Sequence, residues 1–257
     1  MNDYNQNKHC EFGTHNPTLM ENPFWKCMVC DPHLIGYDGR ENNNDDFVDD
    51  IDTCHPQWCF SRFGATQTYL PDGRLIRIGG EHEDCYDDDF QIYNDVVVIR
   101  NPHIVQGPPM YSLPIPDNFP LERKQHGTLS SSDILGTTKV EDVTIYGYPE
   151  HVFPPTDFHT ATYVKNNETN DEFIYIIGGL GYLTSSHRRE THVYCLRLSD
   201  FSIQRLKTTG NGPVGCTERH RATLETVRGR KMIEICLKNH RRYRLDIETA
   251  VWEPIDD

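Results

Sequence analysis

Short apolar segments, separated by turn-forming residues, dominate the chain from Phe60 onward. They are four to eight residues long and rich in Val, Ile, Tyr and Phe, as in DVVVIR, FIYII and KMIEICL. Such segments are typical of β-strands bounded by turns. No stretch of 12 or more residues has the period of an amphipathic helix. The pattern therefore predicts an all-β fold.

Two stretches repeat one arrangement of strands. FGATQTYLPDGRLIRIGG begins at Phe63, and FHTATYVKNNETNDEFIYIIGG begins at Phe158. Each contains a strand, a turn, a second strand that ends in Gly-Gly, and then a loop that leads to a third strand. Because Gly-Gly permits unusual dihedral angles and the close approach of another backbone, both copies predict tight packing between successive units.

These units resemble kelch repeats. The resemblance rests on Gly79-Gly80 and Gly178-Gly179, on NDVVVI and THVYCL after them, and on HTAT at 159–162, which HRAT at 220–223 echoes. The Gly-Gly pairs are 99 residues apart, close to two kelch units of about 50 residues each. A degenerate unit is therefore expected at 125–150.

The resemblance implies a small kelch-like β-propeller of four or five blades over residues 60–257. Residues 1–59 are polar and rich in Asn, Asp and Cys, and would form an arm, a closing strand or a partial blade. Histidine recurs at one point of the repeat, as His126, His159 and His220. We interpret these histidines as scaffold residues whose imidazoles bond to a backbone group.

The chain is acidic, with a net charge of −14. Residues 1–100 carry 19 acidic and 7 basic side chains, whereas residues 201–257 carry 8 and 11. An acidic field repels phosphate backbones and attracts basic proteins, which argues against nucleic acid and for a basic protein partner. The chain has no apolar run of membrane-spanning length and no apolar core of a secretory signal near Met1. We expect a cytoplasmic protein without membrane contact.

The loops that follow the two Gly-Gly pairs form the predicted binding surface, because loops on a rigid scaffold usually carry function. One loop, EHEDCYDDDFQI, is strongly acidic, and the other, LGYLTSSHRR, is basic. The candidate contact residues are Glu81, Glu83, Asp84, Tyr86, Asp87, Asp88, Asp89, Phe90, Tyr182, Arg188 and Arg189.

Four cysteines in the N-terminal segment have the spacing of a zinc site. They are Cys27, Cys30, Cys54 and Cys59. Two short thiolate pairs suit tetrahedral zinc, which would be structural and would order residues 1–59. The alternative is free thiols, since nine cysteines without a framework spacing favour a reducing compartment.

Basic residues alternate with apolar residues near the C-terminus, and on strands this places them on one face. That face is either a solvated outer surface, a patch for an acidic partner, or a partner for the acidic first hundred residues. The residues are Arg219, Arg221, Arg228, Arg230, Lys231, Lys238, Arg241, Arg242 and Arg244.

Three functional hypotheses follow. The first is a non-catalytic protein-binding module, whose sharper form neutralises a basic toxin or nuclease as an acidic immunity protein does. The second is a metal-dependent enzyme that acts at the propeller mouth, and the third is an adaptor stapled by zinc. The chain has no Gly-x-Ser-x-Gly motif, no P-loop and no GxGxxG after a strand. We therefore expect no catalytic residue and no cofactor other than such a zinc ion.

Overall fold

The structure, a computed structural model, describes residues 11–22, 25–26, 29, 62–84, 87–102, 139–182 and 190–255. For residues 83–84 and 87–90 it describes the backbone alone. Strands make up most of the regular structure in these ranges, which confirms the all-β prediction. Helical structure in the described residues is confined to Trp25, Lys26 and Val29 and to a single turn of 3-10 helix at Val140–Asp142.

In chain order the strands are β1 (Thr18–Met20), β2 (Thr66–Tyr69), β3 (Leu75–Ile78), β4 (Glu81–Asp84), β5 (Asp87–Ile92), β6 (Val96–Ile99), β7 (Val143–Gly147), β8 (Thr160–Lys165), β9 (Glu172–Ile177), β10 (Val193–Arg197), β11 (Ile203–Leu206), β12 (Thr209–Gly210), β13 (Arg221–Val227), β14 (Arg230–Cys236), β15 (Arg242–Asp246) and β16 (Val251–Ile255).

Three antiparallel sheets share one topology. Four strands follow one another in each, as β2-β3-β6-β7, β8-β9-β10-β11 and β13-β14-β15-β16. The first sheet gains β1 at its edge beside β7, and the third gains β12, which pairs in parallel with β16. The hairpin β4-β5 is inserted between β3 and β6 as a separate two-stranded sheet. The predicted third and fourth strands of the repeats are thus confirmed as β6, β10 and β11.

The described part of segment 125–150 does not begin a unit of its own, which corrects the prediction of a degenerate repeat there. β7 pairs with β6, with Val96 opposite Tyr146, and so completes the first sheet. Its partner strand lies more than 40 residues earlier in the chain, and sequence spacing alone does not indicate that pairing. Residues 125–138, with His126, lie outside the described residues. Within the described ranges there are three such sheets, and a count of four or five blades stays a prediction.

Apolar side chains fill the space between successive sheets. Ile76 and Val98 of the first sheet pack with Ile176 and Leu196 of the second. The second and third sheets meet through Ile177, Val193, Ile235 and Trp252, among others. The central strands β3 and β6 are buried at every position. The unbroken apolar run of β6 predicts this for a strand covered on both faces, whereas β3 buries Arg77 among its apolar residues.

The N-terminal segment completes the first sheet. Trp25 and Val29 are fully buried and cover the face of that sheet that points away from the second sheet. The Asn16 side chain donates to the carbonyl of Ile203 at 2.8 Å and accepts from its N–H at 2.9 Å. This pair of bonds ties the segment to β11, the last strand of the second sheet.

The two Gly-Gly pairs occupy equivalent positions in the first and second sheets. Gly80 donates its N–H to Thr156 O and Gly179 donates its N–H to Thr217 O, both at 2.8 Å. The first glycine of each pair has φ of 55° and 75° respectively. A Cβ there would lie 2.3 Å and 2.1 Å from the same two carbonyl oxygens. Because no side chain fits that space, each Gly-Gly pair lets the segment before the next sheet dock closely.

His159 and His220 bridge successive sheets at the same point. Nε2 of His159 is 2.9 Å from Thr66 Oγ1, and Nε2 of His220 is 2.8 Å from Thr160 Oγ1. The scaffold interpretation holds for both, but each partner is a threonine hydroxyl of the preceding sheet instead of a backbone group. Burial lowers the pKa of His159 to about 3, with His220 adding to the effect, and lowers the pKa of His220 to about 4.

Both histidines should make stability depend on pH. A histidine in the unfolded chain has a pKa of about 6.5, so below that pH the unfolded state binds protons that the folded state excludes. We expect the free energy of unfolding to decrease as the pH is lowered below about 6.5, by about 1.4 kcal/mol per pH unit for each histidine. Urea unfolding at about pH 7, 6 and 5 measures this slope.

The variant His159→Gln should reduce the slope of the unfolding free energy against pH by about 1.4 kcal/mol per pH unit, the contribution of one proton. Gln keeps a donor for Thr66 and does not titrate. The exposed His151 is the matched control, and His151→Gln should leave the slope unchanged. Carboxylates contribute equally to all three proteins, so the difference between slopes isolates His159. Equal slopes for wild type and His159→Gln would contradict the assignment.

Candidate binding site

The acidic loop after the first Gly-Gly pair folds as a β-hairpin. Its strands β4 and β5 pair with Glu81 opposite Ile92 and Asp84 opposite Asp87, and a bulge lies between His82 and Asp84. Residues 81–92 include six acidic residues and no Lys or Arg. The sequence predicted a solvated loop here, and the structure instead presents this charge on a short two-stranded sheet.

The base of the hairpin is attached on both strands. Phe63 and Glu81 exchange two backbone hydrogen bonds of 2.8 Å. On the other strand, Ile92 donates its N–H to Tyr182 Oη at 3.0 Å. The structure therefore brings together Glu81 and Tyr182, which the sequence assigned to separate loops. Both residues hold the hairpin in place at this point.

Asp157 holds the loop that follows the second Gly-Gly pair. Its carboxylate is fully buried and accepts the Gly181 N–H at 2.7 Å, while its carbonyl accepts the Leu180 N–H at 3.0 Å. Burial raises the pKa of Asp157, and the hydrogen bond from the Gly181 N–H partly offsets that effect. Sequence analysis did not identify Asp157 as a site residue. Its one distinguishing feature in the sequence is its position two residues before the repeat residue His159.

A buried ion pair fixes the chain where the hairpin returns to the first sheet. Arg62 Nη1 lies 2.5 Å from Asp95 Oδ1, and both side chains are at most 4% exposed. The Arg62 guanidinium also lies over the Tyr93 ring, 3.6 Å from its centroid. Burial, with repulsion from Arg62, lowers the pKa of the neighbouring Arg77 to about 9. Next to Asp95, Asn94 donates to two backbone carbonyls at 2.9 and 2.6 Å.

The remaining predicted contact residues are described less fully. The structure gives only backbone positions for Glu83, Asp84, Asp87, Asp88, Asp89 and Phe90. Tyr86, Arg188 and Arg189 lie outside the described residues, as do Cys27, Cys30, Cys54 and Cys59. Across the ranges that the structure describes, no three His, Cys, Asp or Glu side chains are grouped to hold a metal ion. A zinc site at the four cysteines stays a prediction.

Three of the nine C-terminal basic residues pair with carboxylates of their own sheet, whereas Lys231 donates to the carbonyl of Lys165 in the second sheet. Glu234 bonds to both Arg242 and Arg244, and Asp246 bonds to Arg230. These side chains occupy the face of the third sheet opposite the apolar residues that pack on the second sheet. The alternation therefore places Arg230, Arg242 and Arg244 on one outer face, whereas Lys231 falls on the other face, with Ile233.

None of the helical residues in the described part of the chain belongs to a helix with the length and apolar character needed to cross a bilayer. No protein-family model matches the chain, and no curated protein matches it either. The part of the chain that the structure describes is thus defined by its own architecture, which is all-β and contains three sheets of one topology and an acidic hairpin.

Proposed function

We propose that the protein is a kelch-like propeller module, without catalysis, that binds a basic protein partner through the hairpin 81–92. The single observation that carries the proposal is the concentration of six acidic residues, with no Lys or Arg, on this hairpin. Its base is fixed by Phe63 on one strand and by Tyr182 on the other. A pre-organised charged surface loses less entropy on binding than a mobile loop does.

The repeated architecture supports the propeller part of the proposal. Each unit has four antiparallel strands in sequence order, and the first strands of neighbouring units contact one another, β2 with β8 and β8 with β13. Blades of a propeller are arranged in this way around a shared axis. The equivalent Gly-Gly pairs supply the close packing that successive blades require.

The charge of the hairpin supports a basic partner. Asp84 and Asp87 are directly opposed in the ladder, and like charges at opposed positions are unfavourable. A cationic surface would relieve that repulsion, and the acidic field of the chain would speed its approach. Neutralisation of a basic toxin or nuclease is the sharper form of this proposal.

The triple variant Asp87→Asn, Asp88→Asn, Asp89→Asn should lose most partner binding and keep its melting temperature. It removes three charges from a strand at the edge of the fold while leaving the backbone pairing possible. Affinity capture from the native host lysate at about 50 and 300 mM salt, read by mass spectrometry, identifies the partner and its salt dependence.

The matched control removes three exposed acidic charges from two turns outside the hairpin. Glu168→Gln and Asp171→Asn lie between β8 and β9, and Glu248→Gln lies between β15 and β16. This control should retain the partner, because net charge changes equally in both variants. If the two triple variants capture the partner equally well, the hairpin does not carry the binding.

A further inference from the structure

A cavity of about 390 Å³ lies between the second and third sheets. Its lining comes from β8, β9 and β14 and from the turns that follow β8, β13 and β15. The lining residues are Val164, Asn166, Asn167, Glu168, Phe173, Tyr175, Gly229, Lys231, Ile247 and Glu248. This volume lies within the range of about 300–1,000 Å³ that is typical of small-molecule sites.

The floor of the cavity is apolar. Val164 and Tyr175 are buried in the core between the second and third sheets, and Phe173 and Ile247 pack against that core. Phe173 and Tyr175 are two residues apart on β9, so their rings lie on the same face of the strand. A ligand seated here would cover an aromatic and aliphatic surface, which favours an apolar group of its own.

Two glutamates stand at the rim of the cavity on turns of the same kind. Glu168 donates its backbone N–H to Asn166 Oδ1 at 2.9 Å, and Glu248 donates its backbone N–H to Asp246 Oδ1 at 3.0 Å. Each glutamate thus has the same place in a turn that is closed by the side chain two residues before it. One turn belongs to the second sheet and the other to the third. Both glutamates are exposed, and their carboxylates can accept hydrogen bonds from a cationic group.

The cavity wall also contains a lysine that bridges the two sheets. Lys231 Nζ donates to the carbonyl oxygen of Lys165 and lies 3.4 Å from Asn167 Oδ1. These two contacts fix the half-buried ammonium group at the wall. Since an ammonium group has three N–H donors, two contacts within the part of the chain that the structure describes leave one donor for an anionic group.

Charges of both signs therefore border an apolar floor. A ligand that matches all three features carries an ammonium group, a carboxylate and an apolar side chain close together, which is the chemistry of a free amino acid. We propose that this cavity binds a free amino acid with a large apolar side chain. Lys231 binds its carboxylate, Glu168 and Glu248 bind its ammonium group, and its side chain packs on the floor. The cavity shares no residue with the hairpin 81–92 and does not depend on the function proposed above.

Calorimetric titration of the full chain with L-phenylalanine tests the proposal. We expect saturable binding with a dissociation constant below about 5 mM. Three further probes lack one feature each, since phenethylamine has no carboxylate, hydrocinnamate has no ammonium group and glycine has no side chain. Each of the three should bind at least about threefold more weakly than L-phenylalanine, because it leaves one part of the cavity unmatched.

The double variant Glu168→Gln, Glu248→Gln should weaken binding of L-phenylalanine by about fivefold or more, since it removes both charges that face the ammonium group. The matched control is Asp171→Asn, Glu225→Gln, which removes two exposed carboxylates outside the cavity lining and changes the net charge equally. The control should bind within about twofold of wild type. In the partner-capture experiment above, the control variant lacks both glutamates, so it should lose the amino acid and keep the partner, which separates the two proposals.

Lys231→Gln should weaken binding of L-phenylalanine by about tenfold, because it removes a charge-assisted hydrogen bond and keeps an amide donor for the Lys165 carbonyl. Binding of phenethylamine, which has no carboxylate, should stay within about twofold of its wild-type value. A purely structural role for Lys231 would weaken both probes alike, and that result would remove it from the site.

Three further results would overturn the proposal. The first is no saturation by L-phenylalanine up to about 20 mM. The second is equal affinity for L-phenylalanine and any of the other three probes, and the third is equal weakening by the glutamate double variant and its control. Circular dichroism of each variant verifies that a loss of binding is not a loss of folding.

Discussion

Gly178→Ala should lower the free energy of unfolding by about 3–5 kcal/mol, among the largest costs expected for a single methyl group. The new Cβ would lie 2.1 Å from the carbonyl oxygen of Thr217 and 3.0 Å from Cε1 of His220. The oxygen belongs to the backbone segment that docks the third sheet, so it cannot move without separating the sheets. The positive φ of 75° adds about 1–2 kcal/mol of strain for any residue with a Cβ.

The control Gly229→Ala separates the two contributions. Gly229 has φ of 82° but has no atom within 4 Å of a built Cβ, so its substitution should cost only the strain of about 1–2 kcal/mol. Urea unfolding gives both values, and the melting temperature of Gly178→Ala should fall by roughly 10 °C. Similar costs for the two variants would show that the close approach at Gly178 does not stabilise the stacking of the sheets.

Asp95→Asn should destabilise the protein by about 3–5 kcal/mol, because breaking a buried ion pair by removing one partner is strongly unfavourable. Arg62 is held between Asp95 and the Tyr93 ring, and Arg77 is buried close by. Without the carboxylate, two neighbouring guanidinium groups would repel each other in a region of low dielectric constant. The loss should appear in urea unfolding near pH 7 and should persist at high salt, since buried pairs are poorly screened.

An exposed ion pair in the same sheet provides the comparison. Asp72 Oδ2 lies 2.7 Å from Arg74 Nη2 in the turn between β2 and β3, and the two side chains are 48% and 26% exposed. Asp72→Asn should cost at most about 1 kcal/mol, as is usual for surface pairs. A cost for Asp95→Asn that is no greater than this would mean that the buried pair is not needed for stability.

Local sequence features were sufficient to predict most strands. The runs LIRI, VVVI and EFIYII are rich in apolar and β-branched residues and are bounded by turns, and they form β3, β6 and β9. The Gly-Gly pairs at the ends of β3 and β9 also identified equivalent structural positions. Pairing between distant strands was not predictable in this way, because β1 and β7 are separated by more than 120 residues and neither carries a repeat signature.

The candidate site was predictable in its charge but not in its geometry. The sequence gives the acidic residues of 81–92 directly, whereas their pairing as a hairpin depends on anchors at Phe63 and Tyr182. The buried polar groups were harder to predict, since Arg62 and Asp157 resemble surface residues when met in a sequence. Their burial becomes evident only when the fold supplies Asp95 and Gly181 as partners.

The bonds between Asn16 and Ile203 have a consequence for proteolysis. A protease that trimmed the first twenty residues would remove β1 from its place beside β7 and would break both bonds to the second sheet. The newly exposed edge of β7 could then pair with strands of other molecules, which is a common route to aggregation. We therefore expect the trimmed chain to self-associate more readily than the intact one.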